Sequence, residues 1–141
     1  MYVLSKLSLS RLEGVHPKLS ELFKRAIVDS PHDFMLVQGL RTAEYQRELY
    51  RQGRTKPGKI VTNCDGYRAK SNHQAKSDGY GHAVDFAIYD PTIPGKIDWD
   101  NEKKYREVAD HLKAVAEKME INIEWGGDWK KFKDYPHIEI K

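Results

Sequence analysis

The run Gly81-His82-Ala83-Val84-Asp85-Phe86-Ala87-Ile88 carries the pattern that decides the fold. Side chains alternate between the two faces of a strand. His82, Val84, Phe86 and Ile88 therefore share one face, and Gly81, Ala83, Asp85 and Ala87 share the other. The first face is apolar enough to lie on a core. The second holds one large polar group among very small neighbours, which leaves room beside the Asp85 carboxylate for something bulky. The same alternation turns His82 away from Asp85. On periodicity alone, Asp85 fits a solvated face as readily as a site.

Outward from this strand the chain reads as a series of short elements. A helix is predicted from about Pro17 to Asp29, where Pro17 suits the first turn. Leu19, Leu22, Phe23, Ala26 and Ile27 form its apolar stripe, and Ser30-Pro31 ends it. An apolar strand, Phe34 to Gln38, runs into Gly39-Leu40-Arg41. Thr42 is placed to cap a second helix, about Ala43 to Gln52, which Gly53 terminates. Arg54 to Tyr80 is a long polar segment of a kind usually functional or disordered. A third helix, about Asn101 to Met119, puts Tyr105, Val108, Leu112, Val115 and Met119 on one face, with Asp98 or Asp100 as its cap. Short strands at about Ile121 to Trp125 and His137 to Ile140 close the chain. This order predicts an α+β domain, a small antiparallel sheet packed against about three helices.

Composition narrows the function classes. With 141 residues, 39% apolar and 32% charged, the chain fits one domain with one modest core. No stretch approaches the roughly 18 to 20 apolar residues of a membrane span, so membrane insertion is not expected. Met1 to Gly14 mixes Leu with Ser, Lys and Arg and does not read as a secretory signal. Cys64 is the single cysteine, so stability must come from packing or a metal. It has no Cys or His partner at zinc-finger spacing. The net charge of +3 is spread along the chain, with only a short cluster at Lys130, Lys131 and Lys133. That charge suits an anionic polymer such as a cell wall, and no nucleic-acid module accompanies it.

Two further stretches carry chemistry. Ser71-Asn72-His73-Gln74 ends the polar segment, although loop histidines are commonly just solvated. In Asp134-Tyr135-Pro136-His137-Ile138-Glu139-Ile140, Ile138 and Ile140 face the core, so His137 and Glu139 project from the other side. Pro136 is tolerated at the first position of a strand. It also marks a turn that could bring Asp134 to the side of His137. Two histidines and a carboxylate form a recurrent catalytic zinc shell with its fourth position open to water. The metal lowers that water's pKa towards roughly 7 and polarises a carbonyl, and a nearby carboxylate takes the proton. An imidazole pair favours zinc over calcium. The gaps from His73 to Asp85 and from Asp85 to His137 are too wide for spacing alone to identify a metal site. His16, His32 and His111 read as surface or capping residues, and Trp125 and Trp129 as cleft walls or core.

Taken in order, Val37-Gln38-Gly39-Leu40-Arg41-Thr42, Ser71-Asn72-His73, Gly81-His82-Ala83-Val84-Asp85, Trp125-Gly126-Gly127-Asp128-Trp129 and Asp134-Tyr135-Pro136-His137 resemble the VanY-like zinc peptidases. That family includes D-alanyl-D-alanine carboxypeptidases and the L-alanyl-D-glutamate endopeptidases of phage endolysins. The resemblance runs from about Leu12 to the C-terminus. It implies a Hedgehog/D-Ala-D-Ala-peptidase-like fold with zinc on the sheet, held by His73, Asp85 and His137. It implies Asp134 as general base and Arg41 as a group that binds a substrate carboxylate or the oxyanion. Gln38, Ser71 and Trp125 become candidates for substrate binding. The commoner family pattern, Ser-x-His-x-x-Gly-x-Ala-x-Asp, separates its first two ligands by seven positions. Here they stand twelve apart with Asp78 at the shorter spacing, which reads as a loop insertion over Gln74 to Gly79. His82 is the alternative ligand, disfavoured by strand alternation.

The expectation that follows is a single catalytic domain over 1–141, with no separate wall-binding domain, acting as a monomer on peptidoglycan stem peptides. A lone domain without a signal suggests an endolysin that accumulates in the host cytoplasm and reaches the wall when a holin opens the membrane. The bond then expected to be cut is L-Ala–D-Glu. The alternatives are a D-alanyl-D-alanine carboxypeptidase and a non-catalytic, Hedgehog-like zinc-containing binding domain. Asp134 beside the third ligand, together with Arg41, favours the enzyme.

Overall fold

Four short segments pair into one antiparallel sheet in the order β1-β2-β4-β3, in a computed structural model that describes residues 1–141. The strands are β1 (Phe34–Gln38), β2 (Ala83–Ile88), β3 (Ile123–Trp125) and β4 (His137–Ile140). Four helices accompany them: α1 (Lys6–Ser10), α2 (Pro17–Ala26), α3 (Ala43–Arg51) and α4 (Glu102–Lys118). The α+β reading holds, with α1 added to the three helices expected.

One face of the sheet makes the core. Val84, Phe86 and Ile88 of β2, Phe34 and Leu36 of β1, Trp125 and Ile138 all bury there. Leu19, Leu22, Phe23 and Ala26 of α2 and Tyr105, Val108, Ala109, Leu112 and Ala116 of α4 close over them. The stripe read for α2 buries in full, whereas on α4 Val115 and Met119 are only partly buried and Ala109 and Ala116 bury in addition to Tyr105, Val108 and Leu112. Two histidines fix the ends of α2. His16 Nδ1 accepts from Lys18 N at 3.1 Å, and the ring Nε2 of His111 on α4 lies 2.8 Å from Ala26 O. Asn101, rather than Asp98 or Asp100, caps α4 by accepting from Lys104 N at 3.2 Å. Asp98 instead accepts from the Asn101 amide at 3.1 Å.

The short α1 was not legible as a periodic element, and its role is to finish the sheet. β1 is an edge strand, whose outward backbone groups need partners. Ser8 Oγ accepts from Leu36 N at 3.0 Å, and Arg11 Nη1 donates to Leu36 O at 2.7 Å. Ser8 is itself only 1% exposed.

Ser8→Ala would leave the buried Leu36 N–H without that acceptor, at a cost of about 1–3 kcal/mol. Urea unfolding should show a lower midpoint with unchanged slope; an unchanged midpoint would remove α1 from the account of the sheet edge.

Candidate metal centre

The face of the sheet opposite the core carries the polar groups. Asp85 on β2 pairs directly with His137 on β4, and Gln38 on β1 pairs with Asp85 from the other side. Ala83 and Ala87, beside Asp85 on its strand, are fully buried, so this face is covered rather than solvated. A bulge between Leu36 and Gln38 shifts the register at the end of β1, a common device beside functional sites. The chain then enters Gly39, where any side chain would collide with the carbonyl of Arg11.

His73 arrives from the long polar segment and is held by backbone contacts. Its ring Nδ1 lies 2.9 Å from Gly39 O, its carbonyl accepts from Arg41 N at 2.9 Å, and its N–H donates to Ser71 Oγ at 3.2 Å. The result is a loop histidine only 2% exposed. Its ring centroid is 5.2 Å from that of His137.

The acceptors around the two rings decide which nitrogens stay free. Gly39 O can only accept, so His73 Nδ1 carries the proton and Nε2 keeps its lone pair. The His137 Nε2 lies 2.8 Å from Glu139 Oε1, a carboxylate oxygen that likewise assigns the proton to Nε2 and leaves Nδ1 free. Both free nitrogens point at one atom. Asp85 Oδ1 is 3.3 Å from His73 Nε2 and 3.4 Å from His137 Nδ1. A tetrahedral shell with bonds of roughly 2.0–2.2 Å has edges of roughly 3.3–3.6 Å. Asp85 Oδ1 is buried without a hydrogen-bond partner, and the ligand atoms of the three residues lie within 4.8 Å of one another. Three groups that can each offer a lone pair to one point are complementary to a cation.

Without a cation, protons take its place. Burial opposes the charge on Asp85, but the flanking His73 and His137 imidazoles outweigh it and hold the carboxyl far below its usual range. Burial would lower His137, yet its contacts with Asp85 and Glu139 push it up to about 9. Glu139 is opposed by burial and still held below its ordinary value by His137 and by Asn72, whose Nδ2 donates to Glu139 Oε2 at 2.8 Å. Proton and metal compete for the same nitrogens.

Asp134 reaches the site as the Pro136 turn suggested, with Oδ2 3.9 Å from His137 Nδ1. Desolvation in the cleft and the nearby Asp85 charge raise its carboxyl above the ordinary value. Arg41 Nη2 donates to Asp85 Oδ2 at 3.1 Å. Ser71 supports the His73 backbone, and Gln38 sits across the strand from Asp85, its amide 3.4 Å from Leu40 O.

Trp125 requires correction. It is wholly buried, and its Nε1 donates to Tyr135 O at 2.7 Å, so it cannot touch a substrate. Its indole instead fixes the turn that carries Asp134. Trp129 is the tryptophan at the site, its ring centroid 5.1 Å from that of His137. His82 turns away as alternation required and pairs with Asp78 at 2.7 Å. Cys64 is not among the converging groups. Sequence reasoning missed the roles of Glu139 and Asn72. Alternation placed Glu139 on the face of His137, but it did not reveal that the two side chains bond or that Asn72 joins them from the loop.

The profile of the phage L-alanyl-D-glutamate peptidase family matches residues 1–141. The chain is 38% identical over 133 residues to the peptidoglycan L-alanyl-D-glutamate endopeptidase CwlK of Bacillus subtilis (strain 168), covering 93% of this chain and 74% of CwlK. It is 33% identical over 136 residues to the L-alanyl-D-glutamate peptidase of Escherichia phage T5, covering 96% and 87% of the two chains. The crystal structure of the Serratia marcescens L-Ala D-Glu endopeptidase ChiX superposes with a TM-score of 0.70 at 28% identity, covering 99% of this chain and 91% of that one.

Glu139→Gln keeps the shape of the carboxylate but removes the charge behind the His137 ring. Zinc, used as the probe ion, should then be lost to a competing chelator about 10- to 100-fold more readily; unchanged retention would deny Glu139 this part.

Proposed function

The chain belongs to the phage L-alanyl-D-glutamate peptidase family, and on that premise we propose that it hydrolyses the L-Ala–D-Glu bond of peptidoglycan stem peptides with a zinc ion held by His73, Asp85 and His137. The observation that carries the zinc reading is the buried, unpartnered Asp85 Oδ1 facing one nitrogen of each imidazole, while the opposite ring nitrogens face acceptors of their own. The substrate reading is supported by the named activities of the two relatives and of the structural match.

Bound there, zinc would supply a Lewis acid for the scissile carbonyl and a water of lowered pKa. The residues of the chain do the rest. Asp134 stands within reach of the same cleft as His137 Nδ1 and accepts the proton of the attacking water, then returns it to the departing amine of D-Glu. The raised pKa of its carboxyl suits a group that must both take and give a proton. Arg41 fixes Asp85 through Nη2, while its buried Nε has no partner in the protein. The guanidinium, its side chain 14% exposed, is suited as a positive charge to the negative charge that develops on the carbonyl oxygen. Beside Arg41 lies a groove of about 590 Å³ lined in part by Thr42, Tyr67, Lys70 and Gln74. A stem peptide rich in carboxylates fits a groove with Lys70 at its rim.

Chelation should abolish hydrolysis of purified walls, zinc should restore it, and the new amino termini should be D-Glu. Asp134→Asn should keep stoichiometric zinc yet lose about 10²- to 10⁴-fold in rate. Release of D-Ala instead of new amino termini, or undiminished hydrolysis by the Asp134 variant, would overturn the corresponding part of the proposal.

A further inference from the structure

α3 buries one residue completely, and that residue is Gln46. A helix that docks by a glutamine rather than by an apolar stripe is held through hydrogen bonds. The Gln46 amide uses both of its polar ends. Oε1 accepts from Arg41 Nη1 at 3.2 Å, and Nε2 donates to Thr62 Oγ1 at 3.1 Å and to Cys64 O at 3.0 Å.

Each bond leads towards the site. Arg41 spans from Gln46 to Asp85 Oδ2 with the two arms of its guanidinium. Thr62 and Cys64 begin the stretch that ends at His73. Within that stretch Gly66 lies against the carbonyl of Ala43 on α3, and its own carbonyl accepts from Gln74 Nε2 at 2.9 Å. Gln74 Oε1 accepts in turn from Ser71 N at 2.9 Å. One buried amide thus joins the arginine on one ligand to the segment carrying another, where no regular element does so.

We infer that Gln46 is a positioning residue: its side-chain amide sets Arg41 against Asp85 and tethers segment 62–74, which carries His73, to α3. It does not touch the reacting atoms. The kinetic half of this inference rests on the peptidase reading above, whereas the tether itself does not.

Two measurements on the full chain test it. In a kinetic cycle on soluble stem peptide, Gln46→Met should lower kcat about 10- to 100-fold, as a small misplacement of a site group does. KM should change less than about threefold. Arg41→Lys lacks the planar fork that reaches both partners, so adding Gln46→Met to it should cost less than about twofold more. Hydrogen exchange supplies a readout independent of activity. Amides of 62–74 should exchange about tenfold faster or more in Gln46→Met, while those of α4 stay within about twofold. Should Gln46→Met give no soluble protein, Gln46→Leu enters both measurements with the same criteria, since it likewise removes the acceptor for Arg41 and the donors to Thr62 Oγ1 and Cys64 O. Equal kcat losses in both backgrounds, or faster exchange throughout the chain, would overturn the inference. A wild-type chain that leaves stem peptide intact while the variant shows the local exchange pattern would sink the peptidase reading and leave the tether standing.

Discussion

A carboxylate with one oxygen buried and unpartnered is the constraint on which this structure turns. Asp85 sits on a face where Ala83 and Ala87 are fully buried, so little water reaches its inner oxygen. Burying an anion costs several kcal/mol unless opposite charge compensates it. Arg41 answers one oxygen, Oδ2. The other faces two imidazole nitrogens, and the opposite nitrogen of each ring faces an acceptor of its own. A cation there satisfies all three donors at once, and it competes for the same nitrogens with protons, which the contacts of His137 with Asp85 and Glu139 favour.

The remainder of the fold serves to bring these three groups together. The core face of β2 locks the register of the strand, and a one-residue slip would move Asp85 into the core and Phe86 out of it. The pairing of Asp85 with His137 follows directly from that register. His73 has no such guarantee, because it lies outside the sheet. Its position depends on polar contacts from Gly39, Arg41 and Ser71, and on a segment tied to α3 through Gln46. Two of the three groups are thus placed by packing and one by hydrogen bonds. The groove lined in part by Arg41, Thr42 and Gln74 lies on the side of the site built from loops.

Much of this was legible because it rests on period. The alternation in Gly81 to Ile88 separated Asp85 from the core residues and turned His82 aside, and the stripes of α2 and α4 predicted what they bury. The Ile138/Ile140 alternation likewise gave the outward side of His137. What was not legible depends on contacts distant in sequence. The five residues of α1 are too few to show a stripe, and their purpose appears only when Ser8 and Arg11 meet the edge of β1. Trp125 and Trp129 look alike in sequence, and only the turn at Tyr135 decides which is core. The twelve positions between His73 and Asp85 hid their convergence, and the Gly39 carbonyl beside the His73 ring gives no signal in a linear string.

The most direct test of the central claim is which ring nitrogens meet the metal. Histidine side-chain nitrogens can be followed by NMR as one equivalent of zinc is added to the chelator-stripped chain. The account predicts that His73 responds through Nε2 and His137 through Nδ1, with His16, His32, His82 and His111 unmoved. Coordination through the opposite nitrogens, or a response at His82 in place of His73, would contradict it.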